Sequence, residues 1–223
     1  MFKNVMVYRI GEGFAPTLAD VQAALEPAQF VECGTSQEKS VGWIPPRGEA
    51  YGPLVESVGG QWILKLMIES KAVPGNVVRR KADERIAEIE AATGRKPGKK
   101  EKRDIMDDAL MSLLPQAFAR QSTVVVWMDL ENRRLVLNAG SQGKADEVVS
   151  ALMNVLGSLS VSLIQTVTSP QAAMTQWLLA PTEDEWPADL TVERETVLKS
   201  TGEDAASVRF TRHHLANDDV RKH

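Results

Sequence analysis

Cysteine, histidine and aromatic side chains are all scarce in this sequence. Of 223 residues, one is cysteine, three are histidine and 5% are aromatic. The lone thiol, Cys33, excludes an intramolecular disulfide and any site built from several thiolates, and three histidines leave little material for a zinc centre. No apolar run approaches the roughly 18 residues that a membrane-spanning helix needs. The N-terminal stretch MFKNVMVYRI lacks the basic, apolar and small-residue order of a secretory signal. The chain is therefore expected in the cytoplasm, with no membrane partner. Internal repeats and low-complexity tracts are missing as well. What remains is 43% hydrophobic and 25% charged, enough to bury a sizeable core in one or two domains.

Positive charge is also short overall, with 26 Lys and Arg against 30 Asp and Glu, a net charge of -4. A uniformly basic coat for nucleic acid is excluded. The distribution is uneven, however. Residues 71–103 hold eleven basic side chains (Lys71, Arg79, Arg80, Lys81, Arg85, Arg95, Lys96, Lys99, Lys100, Lys102, Arg103) against five acids, or +6. The other 190 residues hold 15 basic and 25 acidic side chains, or -10. Distant acids are screened beyond a Debye length of about 8 Å, so the local field can attract a polyanion despite the total. A basic run of this kind is either a solvated helix face or a polyanion-facing one, and composition does not separate the two.

Local patterns predict mixed secondary structure. Residues 2–10 alternate as a strand, with Val5, Val7 and Ile10 on the core face. Thr17 and Asp20 form a capping box for a helix running to Pro27. Residues 33–53, rich in Gly and Pro, are expected to be loop, and Gly59-Gly60 a turn before a strand over 61–68. Val78, Ala82, Ile86 and Ile89 define one helix, stopped by Gly94. Ile105, Met106, Ala109, Leu110, Leu113 and Leu114 define a second, ended by Pro115. The basic run covers the first helix, the connection and the first turn of the second. A hairpin over 121–138, a helix capped by Ser141, a strand over 161–167, a helix capped by Ser169 before Pro170 and closed by Pro181, and strands over 191–199 and 207–211 complete the expectation. The absence of a regular βαβ rhythm implies an α+β fold with largely antiparallel sheets and flanking helices. The expected division is an α+β core over 1–72 and 121–180, a basic helical pair over 73–120 and C-terminal strands over 181–223.

Catalytic patterns are weak. Gly140-Ser-Gln-Gly-Lys144 is too short for a phosphate loop and lacks the hydroxyl after lysine. His213-His214 has no third ligand at a suggestive spacing. The contiguous pairs and triples Asp107-Asp108 and Glu183-Asp184-Glu185 diverge or lie in a connector, so neither is a preorganised cation site. No cofactor, no metal and no catalytic residue is expected, although an enzyme built on Cys33 or the histidine pair stands as the weakest alternative.

Several segments, spread in order over the whole chain, carry a resemblance to a known family. They are Phe2-Lys-Asn-Val-Met-Val-Tyr-Arg9, Cys33-Gly34 with Gly42-Trp-Ile-Pro-Pro46, Gly94-Arg95-Lys96 with Lys99-Lys-Glu-Lys102, Leu113-Leu-Pro-Gln-Ala-Phe-Ala-Arg120, Ala139 to Glu147, Met174-Thr-Gln-Trp-Leu178 and Val208-Arg-Phe-Thr-Arg212. Together they resemble the bacterial recombination-associated protein family RdgC. That resemblance implies a non-enzymatic, nucleoid-associated protein with a horseshoe-like subunit that pairs with a second copy into a closed ring around double-stranded DNA. It implies binding with little sequence preference, single-stranded DNA as a further partner, and antagonism of RecA-promoted strand exchange. A sequence-independent binder needs cations against phosphate rather than a recognition helix. Arg79, Arg80, Lys81, Lys96, Lys99, Lys100 and Lys102 are the expected DNA contacts, with Arg120, Arg209 and Arg212 as additional candidates. The helical pair could equally be the tip that meets the partner subunit, and in that case Phe118, just beyond the Pro115 stop, is the candidate aromatic anchor of a homodimer interface, or else an ordinary core residue. Family members continue through further strands, so the chain is expected to be C-terminally shortened at Asn217 to His223, where a capped helix is expected to begin. The main rival reading is an interaction protein whose basic helices bind an acidic protein partner.

Overall fold

The structure is a computed structural model and describes residues 4–180, 186–189, 194–200 and 206–213. The expectations placed on Pro181, Glu183-Asp184-Glu185, residues 191–193, His214 and the segment from Asn217 lie outside the described residues. The chain divides into two compact units, Met1–Ile164 and Gln165–His223. The fold is α+β, with five α-helices and largely antiparallel sheets among the described residues.

The first unit is built on a seven-stranded sheet. Its elements run β1 (Met6–Ile10), α1 (Leu18–Leu25), β2 (Lys39–Ile44), β3 (Val55–Val58), β4 (Gln61–Lys71), α2 (Gly75–Thr93), α3 (Lys99–Leu113), β5 (Ala119–Asp129), β6 (Arg134–Leu137), α4 (Gln142–Val155) and β7 (Val161–Leu163). The sheet order is β2-β4-β5-β6-β1-β7, and β3 also pairs with β4, opposite Gln61 to Leu64, where β2 leaves off. The long central ladder pairs Trp62 with Met128 and continues to Lys71 opposite Ala119. Period-two alternation then puts Trp62, Leu64, Leu66, Val124, Val126 and Met128 on one face, all buried in one core with Val21 and Leu25 of α1 and Val148 and Leu152 of α4. Burying a Leu or Val side chain of this kind stabilises the fold by roughly 1.5–3 kcal/mol.

Local capping chemistry starts α1 as expected. Thr17 Oγ1 accepts from the Asp20 N–H at 3.2 Å while Asp20 Oδ2 accepts from the Thr17 N–H at 2.9 Å. Ser169 likewise caps α5 (Pro170–Leu179) of the second unit, accepting from the Ala172 N–H at 3.1 Å. Ser141 occupies the N-cap of α4 with extended backbone but makes no capping side-chain bond. The second unit also carries an antiparallel pair, β8 (Glu195–Lys199) and β9 (Ser207–Thr211).

Three sequence expectations are corrected. β1 has Tyr8 and Ile10 in the core while Val5 is 55% exposed and Val7 half-buried, because pairing of Met6 with Leu137 and Tyr8 with Leu135 sets the phase. The strand expected over 161–167 ends at Leu163. The stretch 33–53 contains β2, whose Gly42 is buried within the strand rather than marking a loop. A Cβ there would meet Phe30 Cα, lie 2.6 Å from the Phe30 nitrogen and 2.8 Å from the Gln29 carbonyl carbon. Glycine is required because a second backbone, held by the Phe30 N–H donating to the Trp43 carbonyl at 3.0 Å, runs against it.

Glu69 ties the loop before β2 to the sheet. Its side chain is 2% exposed; Oε1 accepts from the Cys33 N–H at 2.7 Å and Oε2 from Gln121 Nε2 at 2.6 Å. The Gln121 bond, then the Cys33 N–H, hold its carboxyl below the usual carboxylate range against the opposing effect of burial. A carboxylate depressed in the folded state contributes stability that is full above the unfolded value of about 4.3 and is lost as pH falls through the lower folded value. Glu69→Gln is therefore expected to lower the urea midpoint at pH 7, with the gap to the parent chain narrowing below pH 4. A constant gap across that range would remove Glu69 as the ionised anchor.

Candidate nucleic-acid interface

Two highly charged helices carry the basic run on a core of their own, separate from that of the sheet. α2 and α3 pack through a separate small core of Val78, Ala82, Ile105 and Ala109, flanked by Ile86, Ile89, Met106 and Leu110. That stripe recurs every three or four residues, which leaves the remaining positions in solvent. Gly94, with φ of 69°, terminates α2, and its N–H donates to the Glu90 carbonyl at 2.8 Å. Glu101 then closes the start of α3, accepting from the Gly98 N–H and from both Arg95 terminal nitrogens at 2.8 and 3.2 Å. Arg95 is thereby spent on the connection itself.

Arg79, Arg80 and Lys81 are exposed on α2, Lys96 is exposed in the connection, and Lys99, Lys100 and Lys102 are exposed in the first turn of α3. Among the described residues none of these seven makes an ion pair. Arg103, a member of the basic run outside the expected contacts, is exposed one residue further on. Arg120 is exposed at the second position of β5, opposite Ser70. Arg209 and Arg212 belong to the second unit. Arg209 lies 3.8 Å from Glu195, and Arg212 follows β9 with φ of 56°, the left-handed region.

The cations do not form one continuous patch. Seven acids lie along the middle of the pair: Asp83, Glu84, Glu88 and Glu90 on α2, and Asp104, Asp107 and Asp108 on α3. An open groove of about 550 Å³ between the helices is floored by Ile89, Ile105 and Ala109 and edged by Glu84, Glu88, Glu101, Asp104 and Asp108. Lys81 and Arg85 are the cations on that groove, and Arg85 already pairs with Glu88 at 2.7 Å. Lys81 is thus the one expected contact that also lines the groove. The basic stretch in sequence ends at Arg103, and the three aspartates that follow at helical spacing were the signal that it overstates the charge of the folded pair.

At the base of the pair, Phe118 is 94% exposed. Its ring edges an apolar recess of about 330 Å³ formed with Val73, Pro74, Val77 and Leu113. Phe118 is not a core residue.

The sites of the weaker chemical alternatives are less prepared. The Cys33 Sγ–H points to the Glu69 carbonyl at 3.8 Å, and burial followed by Glu69 pushes the thiol up, opposite to an activated nucleophile. The His213 ring packs edge-on against Phe210 at 5.5 Å. Among the described residues no group of three or more His, Cys, Asp or Glu side chains is placed to hold a metal ion.

These features define an α+β protein that carries an exposed, charged helical hairpin with an aromatic ring at its base. Comparison with known proteins places it further. Residues 1–223 match the family model described as "Putative exonuclease, RdgC", and the chain belongs to the RdgC family. It is 40% identical over 222 residues to the recombination-associated protein RdgC of Herminiimonas arsenicoxydans, covering 100% of this chain and 72% of that protein. The relative from Dechloromonas aromatica is 36% identical over 217 residues, 97% of this chain and 70% of the relative. That from Cupriavidus pinatubonensis is 39% identical over 223 residues, 100% and 73% respectively.

Proposed function

We propose that the chain is a non-enzymatic, sequence-independent binder of duplex DNA that pairs with a second copy and restrains RecA-promoted recombination by occupying or encircling DNA. The carrying observation is the set of exposed cations without ion pairs on the α2–α3 hairpin: Arg79, Arg80, Lys96, Lys99, Lys100 and Lys102. Long cationic side chains free of carboxylate partners are available to replace counterions on phosphate, which is the main source of sequence-independent affinity. Arg120 on β5, and separately Arg209 and Arg212 of the second unit, are further candidate contacts, and single-stranded DNA carries the same phosphate chemistry. A cytoplasmic, nucleoid-associated location follows from this reading. The relatives' description as recombination-associated proteins supports it. The non-enzymatic part of the proposal follows the relatives' names rather than the family model's description as a putative exonuclease. The test is titration of three unrelated duplexes of about 30 base pairs at low salt. Equal affinities that fall steeply with salt are expected; no binding to any of them would remove the proposal.

Self-pairing is assigned to the knob and recess at the base of the hairpin. An exposed aromatic ring beside an apolar recess is self-complementary, as a two-fold interface requires, and aromatic anchors carry much of the energy of such contacts. Phe118→Ala is expected to shift the solution mass from dimer toward monomer and weaken the pairing by about 2 kcal/mol or more, without changing the melting of the monomer core. An unchanged dimer fraction at micromolar concentration would place the interface elsewhere.

A further inference from the structure

The charge pattern along the hairpin says how a polyanion can lie on it, given the DNA-binding reading above. The helical rise of 1.5 Å per residue puts Arg80 about 20 Å along α2 from Thr93, its last residue, with Arg95 and Lys96 just beyond. Arg79 and Arg80 therefore mark one end of the hairpin, and Lys96, Lys99, Lys100, Lys102 and Arg103 mark the other. Between them stand seven acids against two groove cations, Lys81 and Arg85, of which Arg85 is committed to Glu88 at 2.7 Å. Glu84, Asp104 and Asp108 edge the central groove, and among the described residues none of the three has an ion-pair partner. Asp104 and Asp108 are also four apart on one helix, a like-charge spacing that destabilises α3. No ion pair accounts for these three carboxylates, whereas their effect on an approaching polyanion is direct.

We infer that duplex DNA is held at the two ends of the hairpin and kept off its middle, with the groove carboxylates acting as a repulsive spacer between two phosphate anchors. Lys81 and Arg85 balance charge within the groove and do not contact DNA. The spacer limits affinity: without it the backbone could settle along the whole hairpin and dissociate more slowly.

The experiment compares the full chain with E84Q/D104N/D108N and with K81Q, each titrated with a duplex of about 30 base pairs over a salt series. Binding by the parent chain in the same titration separates this inference from the function it rests on. The triple variant is expected to bind about fivefold tighter or more at low salt, the gain shrinking as salt rises, because three charges near the contact no longer repel phosphate. Its melting temperature is expected to be unchanged or raised, since a like-charge pair has been removed. K81Q is expected to match the parent in both affinity and salt slope. Unchanged or weaker binding by the folded triple variant, or a K81Q slope shallower by about one contact, would overturn the inference.

Discussion

Replacing Gly42 by alanine is expected to destabilise the chain by about 2–3 kcal/mol, a large effect for the addition of one methyl group. The added Cβ would lie 2.6 Å from the Phe30 nitrogen and 2.8 Å from the Gln29 carbonyl carbon, both backbone atoms that cannot rotate away. Relief requires the 29–30 segment to move off β2, which breaks the Phe30 N–H bond to the Trp43 carbonyl at 3.0 Å. It also disturbs Trp43, which is among the largest fully buried side chains of the core. Urea unfolding followed by tryptophan fluorescence measures the loss. Gly143→Ala, at a position within α4 where an added Cβ meets nothing within 4 Å, is the control and is expected to be neutral or slightly stabilising. Equal midpoints for Gly42→Ala and the parent would mean that the segment packs less tightly than described.

Conversion of Lys99, Lys100 and Lys102 to glutamine is expected to weaken duplex binding by about 100-fold or more near 0.1 M salt. The three lysines occupy the first turn of α3, where Glu101 points back to Gly98 and Arg95 while its neighbours project outward. Each phosphate contact that is lost removes about 0.9 from the slope of log affinity against log salt, so the slope should become shallower by up to about 2.7. Glutamine is a good helix former, so α3 should persist and circular dichroism should be unchanged. Loss of affinity without a change of slope would mean that the lysines act through structure rather than through phosphate. An unchanged affinity would move the interface off this turn.

Elements whose signals are local were legible in the sequence. The Thr17–Asp20 box, the Ser169-Pro170 start, the Gly94 stop and the two apolar stripes of the hairpin each depend on residues within one or two turns, and each falls where expected. β2 was not legible because the role of Gly42 depends on Phe30, twelve positions away, and glycine in a Gly- and Pro-rich stretch otherwise marks a turn. The phase of β1 was likewise decided by its partner β6 and not by its own alternation. At the candidate site, the run of cations was plain but its division was not. Helical packing folds Asp104 and Asp108, which lie beyond the +6 segment 71–103, back beside Glu84 and Glu88, so the folded pair has basic ends around an acidic groove. The exposure of Phe118 needed the 3₁₀ turn Leu114–Gln116, which turns the chain toward β5 and leaves the ring outside the core.

The most direct measurement is acylation of lysine amines, read residue by residue by mass spectrometry, with and without saturating duplex at low salt. Strong protection of Lys96, Lys99, Lys100 and Lys102 is expected, with Lys81 in the groove and Lys144 on α4 reacting equally in both conditions. Protection spread evenly over all lysines, or confined to those outside the α2–α3 hairpin, would contradict the assignment of that hairpin as the DNA-binding surface.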